Sequence, residues 1–397
     1  MPLLPIISLI TLLHALIAWR VLPSLATLTS AWPLFAVLLL VSAATIPLPF
    51  LTRTGARFDP PRALKWLGLL SMGWFSSLLV LTLVRDIALL ATWAVVAVGG
   101  LPARWPAWQA WSAAAVPVLA SLVSLVGFAN ARRTARVKRV DVPIVRLPAS
   151  LEGFTIVQLS DIHVGPTIRV RYIQRIVDAV NRLGADMVAI TGDLVDGTVP
   201  ELRDHIAPLA DLRARHGTFV VTGNHEYYAG AHAWIAELRR LGLRVLINEH
   251  VVLQTRNVAG AQNDEEVHES ALVIAGVTDF TAGHFDAAHA SDPQGALRDA
   301  PPQVMTRVLL AHQPRTAEAA SAAGYQLQLS GHTHGGQFFP WNLFVPLQQP
   351  FTAGLHKLQD MWIYVSRGTG YWGPPKRFGS PSEITLLRLV AQTERRR

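Results

Sequence analysis

The sequence predicts an α/β chain in two parts: an N-terminal four-helix transmembrane region, and then two packed sheets flanked by helices. Three observations support this. Hydrophobicity is concentrated in the first third of the 397 residues. From Phe154 onward, short apolar runs alternate with amphipathic segments. Five short motifs of Asp, Asn and His each close one of the apolar runs. Strand ends of that kind are where α/β folds place their ligands.

Apolar stretches at about Leu3–Leu22, Leu34–Leu51, Trp66–Val84 and Trp108–Ala129 each approach the roughly 20 residues a spanning helix needs. The third runs on past Arg85 and Asp86 to Val98, so it reads either as one long tilted helix or as a span plus an interfacial segment. Arg85 and Asp86 themselves read as a snorkelling pair near one interface in preference to a functional intramembrane pair. Residues 1–150 carry 13 Lys and Arg against 3 acidic residues, and the remainder carries 22 against 24. A nucleic-acid binder would be expected to carry its basic stripe on the folded domain, so the surplus is read as membrane topology and no nucleic-acid partner is expected. Arg53, Arg57, Arg62 and Lys65 share one face of a four-span arrangement with Arg132, Arg133, Arg136, Lys138 and Arg139, while Arg20 and Arg104 fall on the other. The positive-inside rule then puts both termini and the C-terminal domain in the cytoplasm, and a double crossing by the third stretch would invert this. The first apolar run lacks a basic n-region and a small-x-small cleavage site, so it is expected to remain as a span. The expected organisation is a transmembrane region at 1–130, a basic juxtamembrane linker at 131–150 and a catalytic domain at 151–392. With no cysteine in the chain, disulfides and thiolate metal sites are excluded.

In the second part, Phe154–Leu159, Met187–Ile190, His250–Gln254, Ala271–Val277, Val308–Ala311, Tyr325–Leu329, Trp362–Val365 and Glu383–Val390 are strand-like. Val170–Leu183, Leu202–Arg215 and His232–Leu241 have helical amphipathicity. The polar segments Thr255–Ser270 and His284–Pro302 read as surface loops without assignable chemistry. The motifs are Asp161-x-His163, Gly192-Asp193, Gly223-Asn224-His225-Glu226, His312 and Gly331-His332-Thr333-His334. Their mixed oxygen and nitrogen donors suit Mn, Fe or Zn better than Ca²⁺. His14, His205, His216, His232, His250, His268, His284, His289 and His356 have no ligand partners at recognisable spacing, and read as ordinary surface or core histidines.

Two further stretches, Ser330-Gly-His-Thr-His-Gly-Gly-Gln337 and Ser366-Arg-Gly-Thr-Gly370 followed by Pro375-Lys-Arg377, complete a resemblance. Over about residues 152–392 the chain resembles the calcineurin-like metallophosphoesterase superfamily. It is most similar to the membrane-associated branch that includes YkuE-like phosphodiesterases and one type of UDP-2,3-diacylglucosamine pyrophosphatase. The resemblance implies a hydrolase of phosphoric esters or pyrophosphates with two divalent ions per chain. Asp161, His163 and His334 would hold one ion, Asn224, His312 and His332 the other, and Asp193 would bridge them. A hydroxide shared by the ions would be the nucleophile. His225, left free of metal, would be the general acid. Asp196 either orients His225 through its far nitrogen or is a turn residue before Gly197. Glu226 reads as a supporting or helix-capping group rather than a ligand.

Protein Ser/Thr phosphatases of this superfamily carry Arg where this chain has Gly197, which disfavours a phosphoprotein substrate. Arg367, Lys376 and Arg377 either neutralise a second phosphate or are solvated loop charges. Phe338, Phe339, Trp341, Phe344, Tyr371 and Trp372 are expected to divide between core packing and a lipid-facing rim. The expected partners are the bilayer and an amphiphilic phosphoester. UDP-2,3-diacylglucosamine of lipid A biosynthesis fits, cleaved on the cytoplasmic side of a bacterial inner membrane. Other lipid or soluble phosphoesters are the alternative within enzymes. An inactive membrane receptor or scaffold is the alternative outside them, and retention of the whole ligand set speaks against it.

Overall fold

The computed structural model describes residues 3–54, 59–96, 104–256 and 269–392. Arg57 and most of the Thr255–Ser270 segment lie outside the described residues. The chain divides into two units, Met1–Arg132 with Gly373–Phe378, and Arg133–Trp372 with Gly379–Arg397.

The first unit is built from helices α1 (Leu3–Ala26), α2 (Trp32–Thr45), α3 (Arg62–Val96) and α4 (Trp105–Arg132). Among the described residues, four helical segments are long and apolar enough to cross a membrane. Leu4, Leu40, Ile87 and Leu125 are exposed on the outside, whereas the inner seam mixes Ile17, Val21, Leu78 and Ala113 with buried His14 and Ser42. His14 meets the Ser42 hydroxyl at 3.0 Å, and Thr45 donates to Ser71 at 3.1 Å. Small residues and interhelical hydrogen bonds are what hold helices together where lipid removes the hydrophobic drive. The third apolar stretch is one continuous helix of 35 residues. At 1.5 Å per residue it is about 52 Å long, more than a bilayer core requires.

Arg85 is only 8 % exposed, which corrects the snorkelling expectation. It donates to Asp86, to Ser112 and to the carbonyls of Arg20 and Gln109, while Arg20 donates to the other Asp86 oxygen at 2.7 Å. Within the same unit, the buried Lys376 ammonium donates to the Gly73 carbonyl at 2.8 Å and to the hydroxyls of Ser77 and Ser124. A Cβ at Gly127 would stand 2.7 Å from Lys376 Cγ, so only glycine leaves room for that side chain.

The second unit has two six-stranded sheets. The first contains β1 (Arg136–Ile144), β2 (Thr155–Leu159), β3 (Met187–Thr191), β4 (Thr218–Val221), β5 (Arg244–Val245) and β12 (Glu383–Ala391), in the order β1-β12-β2-β3-β4-β5. The second contains β6 (Glu249–Arg256), β7 (Glu269–Gly276), β8 (Arg307–Leu310), β9 (Leu327–Ser330), β10 (Gly354–Leu358) and β11 (Met361–Val365), in the order β10-β11-β9-β8-β7-β6. Ile156, Met187, Ala189, Phe219 and Val221 of the first sheet share one core with Leu272, Ile274, Val308, Leu310 and Tyr364 of the second. This is the packed sandwich expected from the sequence.

Helices α5 (Val170–Asn181), α6 (Val199–Ile206), α7 (Asn224–Ala229), α8 (Ala231–Arg240) and α9 (Ala317–Ala322) complete the unit. Helix α5 buries Tyr172, Ile173, Ile176, Val177 and Val180, the spacing of one apolar stripe. The expected linker at 131–150 is corrected in its centre. Arg136–Ile144 pairs in parallel along all of Glu383–Ala391, and Arg388 grips Asp141 with two bonds of 2.8 and 2.7 Å. Its alternating charges and valines fit an edge strand, where polar groups face water and guard the edge.

Candidate metal centre

β2, β3 and β4 run parallel in the first sheet, and β8 and β9 run parallel in the second. Their carboxyl ends carry the five motifs, so the sandwich gathers residues from opposite sheets at one edge. Pairing continues past the strand ends, with Asp161 N donating to Gly192 O, His163 N to Asp193 O and Val164 N to Leu194 O at 2.8–3.1 Å. This zipper holds the first two motifs in register.

Asp161, His163 and His334 form one buried group, and Asp193 and His312 form another with the half-buried His332, the ligand atoms of each group lying within 4.8 Å of one another. His163, Asp193 and His225 also meet that criterion, so Asp193 lies in two groups. His163 Nε2 faces His334 Nε2 at 3.1 Å, and His312 Nε2 faces His332 Nδ1 at 3.2 Å. Nitrogen pairs that converge in this way suit a shared cation. Asn224 Oδ1 is buried without a hydrogen-bond partner, a cost a bound ion would remove. The residues therefore fit divalent metal ions. Among the described residues, ten non-glycines have positive φ, and Asp161, His163, Asp193, His332 and His334 are five of them. Such conformations cost roughly 1–3 kcal/mol each and persist where the surrounding structure enforces them.

His312 Nδ1 lies 2.8 Å from the Thr191 carbonyl, which can only accept, so Nδ1 carries the proton and Nε2 points to the centre. Burial would lower His312, but Asp193, 3.1 Å from Nε2, holds it well above the ordinary histidine value. Loading this site with a cation therefore displaces a proton. Burial and the neighbouring His312 push His332 down to about 3, leaving a neutral imidazole fit to ligate. Burial also opposes ionisation of Asp193, but His312, His225 and His163 outweigh it and hold that carboxyl well below the usual range.

Asp196 Oδ1 is 2.5 Å from His225 Nδ1 and 3.2 Å from His163 Nδ1, so one oxygen serves both rings. Burial would raise Asp196, but the two histidines overcome it and keep the carboxylate well below its ordinary range. Gly197 is tightly enclosed, since a Cβ there would stand 2.9 Å from Glu201 Oε2 and 3.1 Å from Leu202 Cδ1. A side chain at this position would have to displace the Glu201 carboxylate and the Leu202 methyl group, and glycine presents no guanidinium there.

Glu226 is the residue whose role the sequence understated. Its carboxylate accepts from the backbone N–H groups of Gly223 (2.7 Å), Asp193 (3.0 Å), Leu194 (2.7 Å) and Val195 (3.2 Å). Burial and the Asp193 charge push Glu226 up to about 7, while the N–H bonds pull it down. All four partners are donors, so the geometry serves the ionised form. Glu226→Gln would aim an amide N–H₂ at some of these donors. The expected loss is roughly 2–4 kcal/mol, from stranded buried donors, read as a lowered thermal midpoint of the purified protein. An unchanged midpoint would mean that the Asp193–Val195 loop holds itself.

The remaining predicted residues divide. Arg367 is in the second unit, with Nη1 3.2 Å from Glu383 Oε2, and its Cγ would lie 3.0 Å from a Cβ at Gly335, beside His334. Lys376 and Arg377 are 2 % and 1 % exposed and belong to the helical unit, so neither is a solvated loop charge. Phe338 and Tyr371 are buried, whereas Phe339, Trp341, Phe344 and Trp372 are exposed. Sequence reasoning missed Tyr228 and Phe285. The Tyr228 ring centroid lies 5.3 Å from that of His225 and 5.6 Å from that of Phe285. The adjacent Tyr-Tyr of Tyr227 and Tyr228 after the His225 motif was the available signal.

Comparison with known proteins agrees with this geometry. Residues 154–336 match the calcineurin-like phosphoesterase family. The chain is 42 % identical over 268 residues to a transmembrane protein with metallophosphoesterase domain from Bos taurus, covering 66 % of this chain and 59 % of that protein. It is 29 % identical over 252 residues to the metallophosphoesterase YkuE of Bacillus subtilis, covering 61 % and 81 %. A metallophosphoesterase of Aquifex aeolicus is 33 % identical over 257 residues, 64 % of this chain and 91 % of its own length. The aligned region thus spans less than two thirds of the Bos taurus relative but nearly all of the Aquifex one, and the chain belongs to the calcineurin-like metallophosphoesterase family.

Proposed function

We propose that the substrate is an amphiphilic phosphodiester or pyrophosphate and that His225 protonates its leaving group. The observation that carries this is the aromatic wall beside His225. Trp372, Tyr228 and Phe285 are 38 %, 58 % and 52 % exposed, and the Trp372 centroid lies 5.9 Å from that of His225. A general acid stands where the leaving group departs, so its neighbours touch that group. Flat, half-exposed rings suit a nucleobase or an acyl-bearing sugar better than a phosphorylated peptide.

Two divalent ions, when bound, would supply an activated water and neutralise charge on the phosphoryl oxygens. Asp161, His163 and His334 would hold one, Asn224, His312 and His332 the other, with Asp193 between them. Asp196 fixes the His225 ring through Nδ1 and leaves Nε2 to carry the proton to the departing oxygen. UDP-2,3-diacylglucosamine meets these requirements, and its cleavage would release UMP. The basic flanks of the helices support a cytoplasmic catalytic unit at a bacterial inner membrane.

Mn²⁺-loaded protein in detergent should hydrolyse bis-p-nitrophenyl phosphate and release UMP from UDP-2,3-diacylglucosamine. Trp372→Ala should raise KM for the amphiphile more than for the chromogenic ester. Cleavage of the chromogenic ester without UMP release would redirect the reading to other lipid phosphodiesters. A folded, metal-loaded protein inert on every phosphoester would support the scaffold. A reporter fused after the catalytic unit tests orientation, and activity only in the periplasm would overturn the cytoplasmic assignment.

A further inference from the structure

We infer a third divalent-cation site in the catalytic unit, formed by His232, Asp286 and His289 and separate from the ligands of the metal centre. These side chains offer ligand atoms within 4.8 Å of one another, the same convergence seen in the buried groups. His232 Nε2 stands 2.9 Å from Asp286 Oδ2, and the rings of His232 and His289 have centroids 4.8 Å apart. Two ligands at ~2.0–2.1 Å from a tetrahedral ion are separated by roughly 3.3 Å, so the pair needs only a small opening to admit one.

Two of the three ligands are also braced from behind. Asp286 Oδ1 accepts the Ala288 N–H at 3.0 Å, which turns Oδ2 toward His232. The His289 carbonyl accepts from the Thr278 hydroxyl at 2.7 Å, and its Nδ1 meets the Tyr227 hydroxyl at 2.8 Å, so the site gives Nε2 to the ion. A hydrogen bond on the far nitrogen is how ligating histidines are fixed in tautomer and orientation. Two imidazoles and one carboxylate make a donor set for Zn²⁺ or a neighbouring transition ion, with water completing the shell, and not for Ca²⁺ or Mg²⁺.

The brace gives the site a consequence. Tyr227 lies on α7, the helix that also carries Asn224 and His225, and it packs with Ala231 and Ala282 in one small buried cluster. An ion here would tie the loop around Asp286 and His289 to the first turn of α8 and, through Tyr227, to α7. The site would stiffen the element that presents the general acid.

The test counts metal rather than activity. Full-length protein in detergent is dialysed against Zn²⁺, freed of loose ions and assayed for bound zinc per chain. Wild type should hold about one equivalent more than His232→Ala/Asp286→Ala. The His232 side chain is 74 % exposed and that of Asp286 32 %, so the double variant should melt as the wild type does. If it melts early, Asp286→Asn, which keeps the oxygen bonded to Ala288, takes its place and should show the same deficit. Equal zinc in wild type and the folded variant overturns the inference, as does a loss of more than one equivalent, which would put these residues among the ligands of the main centre.

Discussion

His225→Ala should lower kcat about 10²–10⁴-fold on substrates with poor leaving groups, such as alkyl or sugar alkoxides, and far less on p-nitrophenyl esters, because a general acid matters most where the departing oxygen needs a proton. The structure makes this variant informative. The His225 backbone N–H donates to Asp193 Oδ1 at 2.9 Å, and alanine retains that bond. What is lost is the ring, whose Nδ1 rests on Asp196 and whose Nε2 stands 3.9 Å from Asp193 Oδ2. Metal content should therefore remain near the wild-type value, while the dependence of rate on leaving group steepens. Equal losses on both classes of ester, together with lost metal, would make His225 a ligand. Asp196→Asn should behave differently. Its oxygen also serves His163 at 3.2 Å, so this variant should lose metal affinity as well as kcat.

The site was legible in the sequence where ligands follow strands directly. Asp161 and His163 come after Leu159, Asp193 after Thr191 and His332 after Ser330, so an apolar run ending in a ligand announces both the strand and the site. The sandwich followed from the same runs. Less legible was anything that depends on a partner distant in sequence. Arg136–Ile144 looked like a basic linker because its strand partner, β12, lies more than two hundred residues away. Lys376 looked like a loop charge because Gly73, Ser77 and Ser124 cannot be foreseen from a Pro-Pro-Lys-Arg stretch. Glu226 could be placed on a helix from its neighbours, but not beneath the amides of Asp193, Leu194 and Val195. His232 and His289 read as ordinary surface residues because their common neighbour, Asp286, lies in a segment with no strand or helix pattern.

Gly223→Ala should abolish most metal binding and cost at least about 10²-fold in activity, although no ligand is removed. A Cβ at Gly223 would stand 2.2 Å from Asp193 Oδ1 and 2.5 Å from Asp193 N. Its backbone angles, φ −99° and ψ −176°, are open to any residue, so the objection to alanine is steric, not conformational. The displaced atoms belong to the carboxylate placed between the two metal groups, which is held on its other side by the His225 N–H and by Glu226 beneath its backbone. With both sides occupied, Asp193 can escape the methyl group only by leaving its place among the ligands. A shift of about 1 Å is enough to cost 10²-fold when reacting groups must be aligned. Gly217→Ala is the matched control. It has φ +82° with nothing within 4 Å of the new Cβ, so it should cost about 1–2 kcal/mol of stability through strain alone and leave metal content unchanged. If Gly223→Ala binds metal and turns over like the control, Asp193 has freedom to move, and its role as the shared ligand would have to be given up.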